Sequence, residues 1–352
     1  MTYKCSHIDL KLFVAGLAMI ILYTFTPSTG RAQDMHFSQF FASPLYINPA
    51  NAGNFKGKYR AGLNFRNQWS SFTTPWRTFD FYGDYRINEG YKRRRLLFGA
   101  GALIMRDRAG DGNLSTTKAI IQGATHLQLG GSEDHTISMG IGLGLIQKTI
   151  DWDKLYFNNQ WDESKFNTNL ATYENYSFRS ITYPDINIGV LYQNASLKKI
   201  NYSLNIAVHH LLNPHESFYK EFNKNNLGWR PLGMFTLSYQ ASDQLYIVPG
   251  IFYETQKNAS ELQFGGMVGY DMSAFTSEKM FLYLGMYNRA KDAWYPIIGL
   301  EYGAWRGFIN YDINYSELKQ ATNGRGAFEL SIVYIGGKPR YKSLIDIPCP
   351  RF

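Results

Sequence analysis

Apolar and polar residues alternate along this chain with a period of two. In residues 57–67, Tyr59, Ala61, Leu63 and Phe65 share one face of an extended segment, and Lys58, Arg60, Gly62, Asn64 and Arg66 share the other. The alternation returns over residues 77–87, 96–106, 117–129, 135–148, 185–192 and 201–210. It continues over residues 231–239, 244–254, 261–270, 280–287, 294–302, 305–315 and 327–335. That predicts about fourteen strands of roughly ten residues, an even number as bacterial barrels require. No helical segment is long enough to cover so many apolar faces, and lipid is the simplest solvent for them. The predicted fold is all-β: a transmembrane, antiparallel, up-and-down β-barrel of about 14 strands, of the outer-membrane type over residues 57–336.

The connections orient it. Long segments (68–76, 107–116, 149–184 and 211–230) follow odd strands, and short ones (130–134, 194–200, 241–243 and 303–304) follow even strands. Long loops outside and short turns inside put both termini in the periplasm. The basic turn at residues 88–95 is the exception.

Composition agrees with a barrel. Charged residues are 18% of the chain and aromatics 16%, with 26 Tyr and 24 Phe to furnish girdles. A mean hydropathy of −0.30 reads as soluble only until inward polar residues are set against outward apolar ones. The net charge is +8, scattered apart from Lys92, Arg93, Arg94 and Arg95, which is no basic face for nucleic acid. Residues 1–32 read as a secretory signal: Lys4 and Lys11 flank an apolar run from Leu12 to Tyr23, and Gly30 and Ala32 supply the small cleavage positions. An uncleaved anchor is the alternative. Cleavage there leaves Cys349 as one thiol of the 2 cysteines, with no intrachain disulfide.

Before the first strand, residues 33–56 hold Phe37, Phe40, Phe41, Leu45, Tyr46, Ile47 and Phe55. Pro44 and Pro49 exclude a long helix or central strand, and a short helix fits around 37–41. Each large apolar side chain gains about 1.5–3 kcal/mol on burial. The segment therefore seeks cover in the barrel's periplasmic mouth, with Asn48 and Pro49 at its turn, and a polar lumen would receive its backbone. At the other end, residues 337–352 form a basic, aromatic extension broken by Pro339, Pro348 and Pro350, and read as a periplasmic docking tail.

Several motifs in order resemble one family. Phe37, Ser38, Gln39, Phe40 and Phe41 lead to Pro44, Leu45, Asn48, Pro49, Ala50, Ala52 and Gly53. Arg66, Gln68 and Trp69 follow, with Thr78. Then come Asp107, Gly110, Gly112 and Ser115; Pro184, Asp185, Asn187 and Gly189; and His209, His210, Pro214, Ser217 and Phe218. Together they resemble the PorP/SprF family, outer-membrane proteins of the type IX secretion system in the Bacteroidetes. The loop after Trp69 departs from the family's pattern, which has a glycine there. The resemblance implies a non-enzymatic component that assists export or surface attachment of a secreted protein or adhesin, with gliding motility as one use. Its partners would be that secreted protein, other secretion components, some of them periplasmic, and outer-membrane lipid.

The candidate sites follow. Outside-loop residues for a partner are Gln68, Trp69, Phe72, Trp152, Tyr156, Trp161, Phe166, Tyr173, Phe218 and Tyr219. Inward charges are Arg60, Arg66, Asp80, Asp84, Arg86, Glu261, Glu301, Arg306, Asp312 and Glu329, read as a structural network, with a selectivity lining as the alternative. No cofactor or metal is expected: Asp107–Asn113 lacks calcium-loop spacing, and adjacent His209 and His210 would point to opposite faces of a strand. No Gly-x-Ser-x-Gly, paired-His motif or P-loop supports an enzyme. The rival function is a passive diffusion channel. Eight-stranded barrels are filled by side chains and 16–18-stranded porins hold water, so about fourteen strands leave the choice open.

Overall fold

The computed structural model describes residues 34–70, 73–87, 96–129, 135–167, 169–174, 177–195, 199–219, 225–317 and 319–337. The proposed signal, Phe72, the basic turn at 88–95 and the tail beyond 337 lie outside these. The first strands are β1 (Tyr59–Gln68), β2 (Trp76–Ile87), β3 (Leu96–Ala109), β4 (Leu114–Leu129) and β5 (His135–Thr149). A two-residue pair, β6 (Trp161–Asp162) and β7 (Lys165–Phe166), stands in the loop that follows. Next come β8 (Ser180–Asn194), β9 (Ile200–His209), β10 (Arg230–Gln240), β11 (Leu245–Gln256) and β12 (Ala259–Asp271). The last are β13 (Met280–Arg289), β14 (Ala293–Tyr302), β15 (Trp305–Asn314) and β16 (Arg325–Gly336).

All but β6 and β7 form one closed antiparallel barrel of 14 strands, each paired with its chain neighbour and β16 returning to β1. Closure leaves no sheet edge, as lipid demands. Alternation places Ile104, Ile121 and Leu145 on the outer wall and Asn64, Gln122 and Asn205 inside. Prolines interrupt the ladder where their N–H is missing: β10–β11 pairing skips Pro249, and β14–β15 pairing skips Pro296. Among the described residues no helix is long and apolar enough to cross a membrane.

The lumen differs from the polar one expected. Its middle is an apolar core in which Phe40 stacks on Phe252 at 5.3 Å, Phe41 meets Phe308 edge-on at 5.2 Å and Tyr287 stacks on Tyr295 at 5.8 Å. Residues 34–55 supply one side of it. They do not form the helix expected at 37–41. Instead a 3-10 turn (Phe40–Ala42), one α-helical turn (Pro44–Ile47) and a second 3-10 turn (Pro49–Asn51) follow one another. The backbone N–H groups of Ser38 and Gln39 donate to Glu329 of β16 at 2.7 and 2.8 Å.

The segment also reaches further than a periplasmic mouth. Its Gly53 end lies beside Arg86, near the short-turn end of β2, where Nε donates to the Gly53 carbonyl at 3.0 Å. Asp34 lies at the opposite end, its N–H donating to Gln256, the last residue of β11, at 3.0 Å. Residues 34–55 thus run the length of the lumen, and Asp34 sits at the long-loop mouth. The side of the segment that meets β3 and β5 needs bare backbone. A Cβ on Gly99 would lie 1.9 Å from the Ala52 carbonyl oxygen, and one on Gly140 would lie 2.3 Å from the Ala50 nitrogen.

Gly140→Val should therefore overpack the lumen and cost about 1–3 kcal/mol. Gly123→Val on the lipid side, where a Cβ meets nothing within 4 Å, should cost far less. The temperature at which each purified barrel loses its compact gel mobility reads this. Equal temperatures would refute the close approach.

Candidate functional site

The inner wall binds a peptide chain, and that chain is the protein's own. At the short-turn end, Arg60 forks onto Asp84 through Nε at 2.9 Å and Nη2 at 2.8 Å. Asp84 also accepts the Gly53 N–H at 2.7 Å, and Arg60 lies over the Phe55 ring at 4.8 Å. Halfway along, Asp80 accepts from Ser43 and, at 3.0 Å, from Asn64. Neutral side chains bond the segment's carbonyls: Gln122 donates to Leu45 at 2.8 Å, and Tyr82 to Ala42 at 3.0 Å. His126 bonds the Ala52 carbonyl at 2.8 Å and His209 that of Ile47 at 3.0 Å. Asn48 donates to the Val190 carbonyl at 2.9 Å.

Further up, Ser38 stands at the centre of four charges. Its hydroxyl lies 2.8 Å from both oxygens of Asp312, 2.8 Å from Arg66 Nη1 and 2.5 Å from Arg289 Nη2. Arg66 reaches Asp312 at 3.1 Å and pairs with Glu329, and Arg289 reaches Asp312 at 3.3 Å. Glu261 joins through Arg289 Nε at 3.7 Å and also faces His36 at 3.5 Å. Paired charges of this kind tolerate burial, whereas removing one partner typically costs 3–5 kcal/mol. Glu301 and Arg306 pair with each other at 3.1 Å across the hairpin between β14 and β15. Every predicted inward charge therefore faces inward.

The last cluster is one the sequence reading missed. Asp34 pairs with Lys118 at 2.5 Å, Arg230 at 3.1 Å and His210 at 3.1 Å, and His210 reaches Asp185 at 2.9 Å on its other nitrogen. Here the expectation for the histidine pair fails. β9 ends at His209, and His210 takes a left-handed φ of 61°, which turns both rings into the lumen. Among the described residues no group of three or more His, Cys, Asp and Glu could hold a metal. Lys118 was legible as an inward position of its strand. Arg230 and Arg289 fell just past the predicted strand limits.

The outer-loop candidates divide. Trp152 is buried, against the expectation of a contact residue. Its Nε1 donates to the Phe178 carbonyl at 3.0 Å, and its ring meets Phe218 at 6.0 Å and Tyr219 at 6.1 Å. These three therefore join the loops at 150–179 and 210–229. Gln68 is the last residue of β1 and accepts from Arg66 at 3.2 Å, so it is no loop residue either. Trp69, at a left-handed φ of 59°, packs on Trp76 at 4.8 Å. Around β6 and β7, by contrast, Tyr156, Trp161, Phe166 and Tyr173 are 64%, 50%, 51% and 83% exposed.

Burial pushes the Asp34 carboxyl up, but Lys118, Arg230 and His210 outweigh it and hold it well below the usual carboxylate range. Its folded pKa thus lies below the unfolded value of about 3.9. The stabilisation is full above that value and fades as pH falls through the lower folded one. Asp34→Asn should therefore lower the unfolding temperature at pH 7, and the gap from the native chain should close only in strong acid. A gap unchanged down to pH 2 would contradict this.

A family model described as type IX secretion system membrane protein PorP/SprF matches residues 29–334. No curated protein matches the chain. Among solved structures it is similar to the toluene transporter TbuX of Ralstonia pickettii, at 9% identity over 87% of this chain and 95% of that one, with a TM-score of 0.47. It is likewise similar to the toluene transporter TodX of Pseudomonas putida, at 9% identity over 87% and 95%, with a TM-score of 0.46.

Proposed function

The chain belongs to the PorP/SprF family of type IX secretion system membrane proteins, and from that premise we propose that it is a sealed outer-membrane scaffold rather than a pore. On this reading its long loops face outward and engage a secreted protein or adhesin, while its short-turn end meets the rest of the secretion apparatus. The observation that carries the reading is the course of residues 34–55 along the lumen, their carbonyls bonded by Gln122, His126, His209 and Tyr82. The space left among Phe41, Arg60, Tyr82 and Phe308 is about 20 Å³, roughly the room of one water. A diffusion channel needs a continuous wet path, and this packing argues against one.

The exposed aromatic group of Tyr156, Trp161, Phe166 and Tyr173 has the composition of a protein contact surface. Trp152, Phe218 and Tyr219 join its base to the second large loop, which Lys148 of β5 and Tyr183 of β8 hold through Glu216. Co-purification from native membranes should recover secretion components together with a secreted partner.

The intact mature protein should show negligible conductance in planar bilayers, and removing residues 34–51 should open or destabilise it. Steady porin-sized conductance from the intact protein would reject the scaffold reading in favour of the channel. Deleting residues 158–169 should leave the barrel folded in the membrane and abolish retention of the surface partner. Unchanged retention would remove the loop's role.

A further inference from the structure

The outer wall of the barrel is apolar almost throughout, which makes one exception informative. At the long-loop end of β2 and β3, Arg77, Arg106 and Arg108 all lie on the outer face and are exposed. Arg77 and Arg108 stand directly opposite in the register, and Arg106 is two residues from Arg108 on the same face, beside Phe79. Like charges opposed across a ladder repel. Among the described residues no carboxylate relieves them. Asp107 points inward and accepts from Thr78 at 2.6 Å, and Asp111 is taken by Thr74. Arg108 does donate to Asn113, at 2.8 Å through Nε, which neutralises nothing and holds the guanidinium in place.

Height in the membrane decides what meets them. Arg77 and Ile87 on β2 are ten residues apart, as are Leu96 and Arg106 on β3. At about 3.3 Å per residue and a tilt near 40°, that separation is about 25 Å along the membrane normal, the height of a barrel's apolar band. Between the ends of that span, Phe79, Phe81 and Ile104 face outward. The three arginines therefore sit at the margin of the band, at headgroup level, where an arginine on the lipid face costs little. Thr117 of β4, opposite Arg106 in the register, adds a hydroxyl beside them.

We propose that Arg77, Arg106 and Arg108 form a binding site for the phosphate of an outer-leaflet glycolipid of the lipid A type. The planar guanidinium matches phosphate oxygens two at a time, and one dianionic group would offset the mutual repulsion of all three. The choice of leaflet rests on the outward placement of the long loops proposed above. The site would tie one segment of the barrel wall, and the Asp107–Ser115 hairpin above it, to the surrounding glycolipid.

The test uses the purified mature barrel in neutral detergent, with native mass spectrometry as readout. The probes are bis-phosphorylated lipid A, its dephosphorylated form and phosphatidylglycerol. The triple variant R77Q/R106Q/R108Q should bind phosphorylated lipid A at least about tenfold more weakly than the native chain, and dephosphorylated lipid A equally. Should the triple variant lose its folded gel mobility, R106Q alone should still weaken phosphorylated lipid A by about threefold. Equal affinity of native and variant forms for phosphorylated lipid A would overturn the site. Phosphatidylglycerol binding as tightly as lipid A, and lost equally on substitution, would overturn the glycolipid assignment. Detergent exposes both ends, so these readings do not depend on orientation. Orientation is read separately from Asn159→Cys on whole cells. Labelling of that cysteine only after permeabilisation would overturn the outward loops and, with them, the glycolipid assignment.

Discussion

A chain with prolines at 44 and 49 cannot satisfy its own backbone in a long helix, and the packed lumen of this barrel offers little water to do it instead. The lumen of this protein is organised around that need. Strands distant in sequence turn donors toward the carbonyls of residues 34–55, and Glu329 and Asp84 take N–H groups the other way. The luminal charges follow from the same need. Arg60 and Asp84, and Arg66 with Asp312 and Glu329, are affordable in the interior because each pairs with the other and with the segment. Bonded on both sides, wall and segment stabilise each other, and neither set of groups would be content without its counterpart.

The same arrangement couples the lumen to the outer loops. Asp34 is held by Lys118 in β4, His210 just past β9 and Arg230 at the start of β10. Those residues stand close to the roots of the loops at 110–113 and 210–229, and Asp185, the second partner of His210, lies in β8 below the loop at 150–179. Glu216 of the second large loop in turn accepts from Tyr183 of β8 at 2.7 Å and pairs with Lys148 of β5 at 2.5 Å.

Period two alone determined a good deal: the number of strands, their order, and which side chains face lipid and which face inward. The reason is physical. Between lipid and a filled lumen every strand position has one of two environments, so parity carries the assignment, and it did so for Arg60, Arg66, Asp80, Asp312 and Glu329. What parity could not reach, tertiary structure decided. Arg230 and Arg289 lay beyond strand limits that pattern defines poorly. His210 left the strand through one left-handed residue and reversed the face expected of it. Trp152 looked like a contact residue and became the packing between two loops, because nothing local says which aromatic will find a partner 60 to 70 residues on. Residues 34–55 have no period at all. Their path through the barrel, and Asp34's place at the far mouth, depend on hydrogen bonds to groups as much as 292 residues away, which exist only once the barrel has closed.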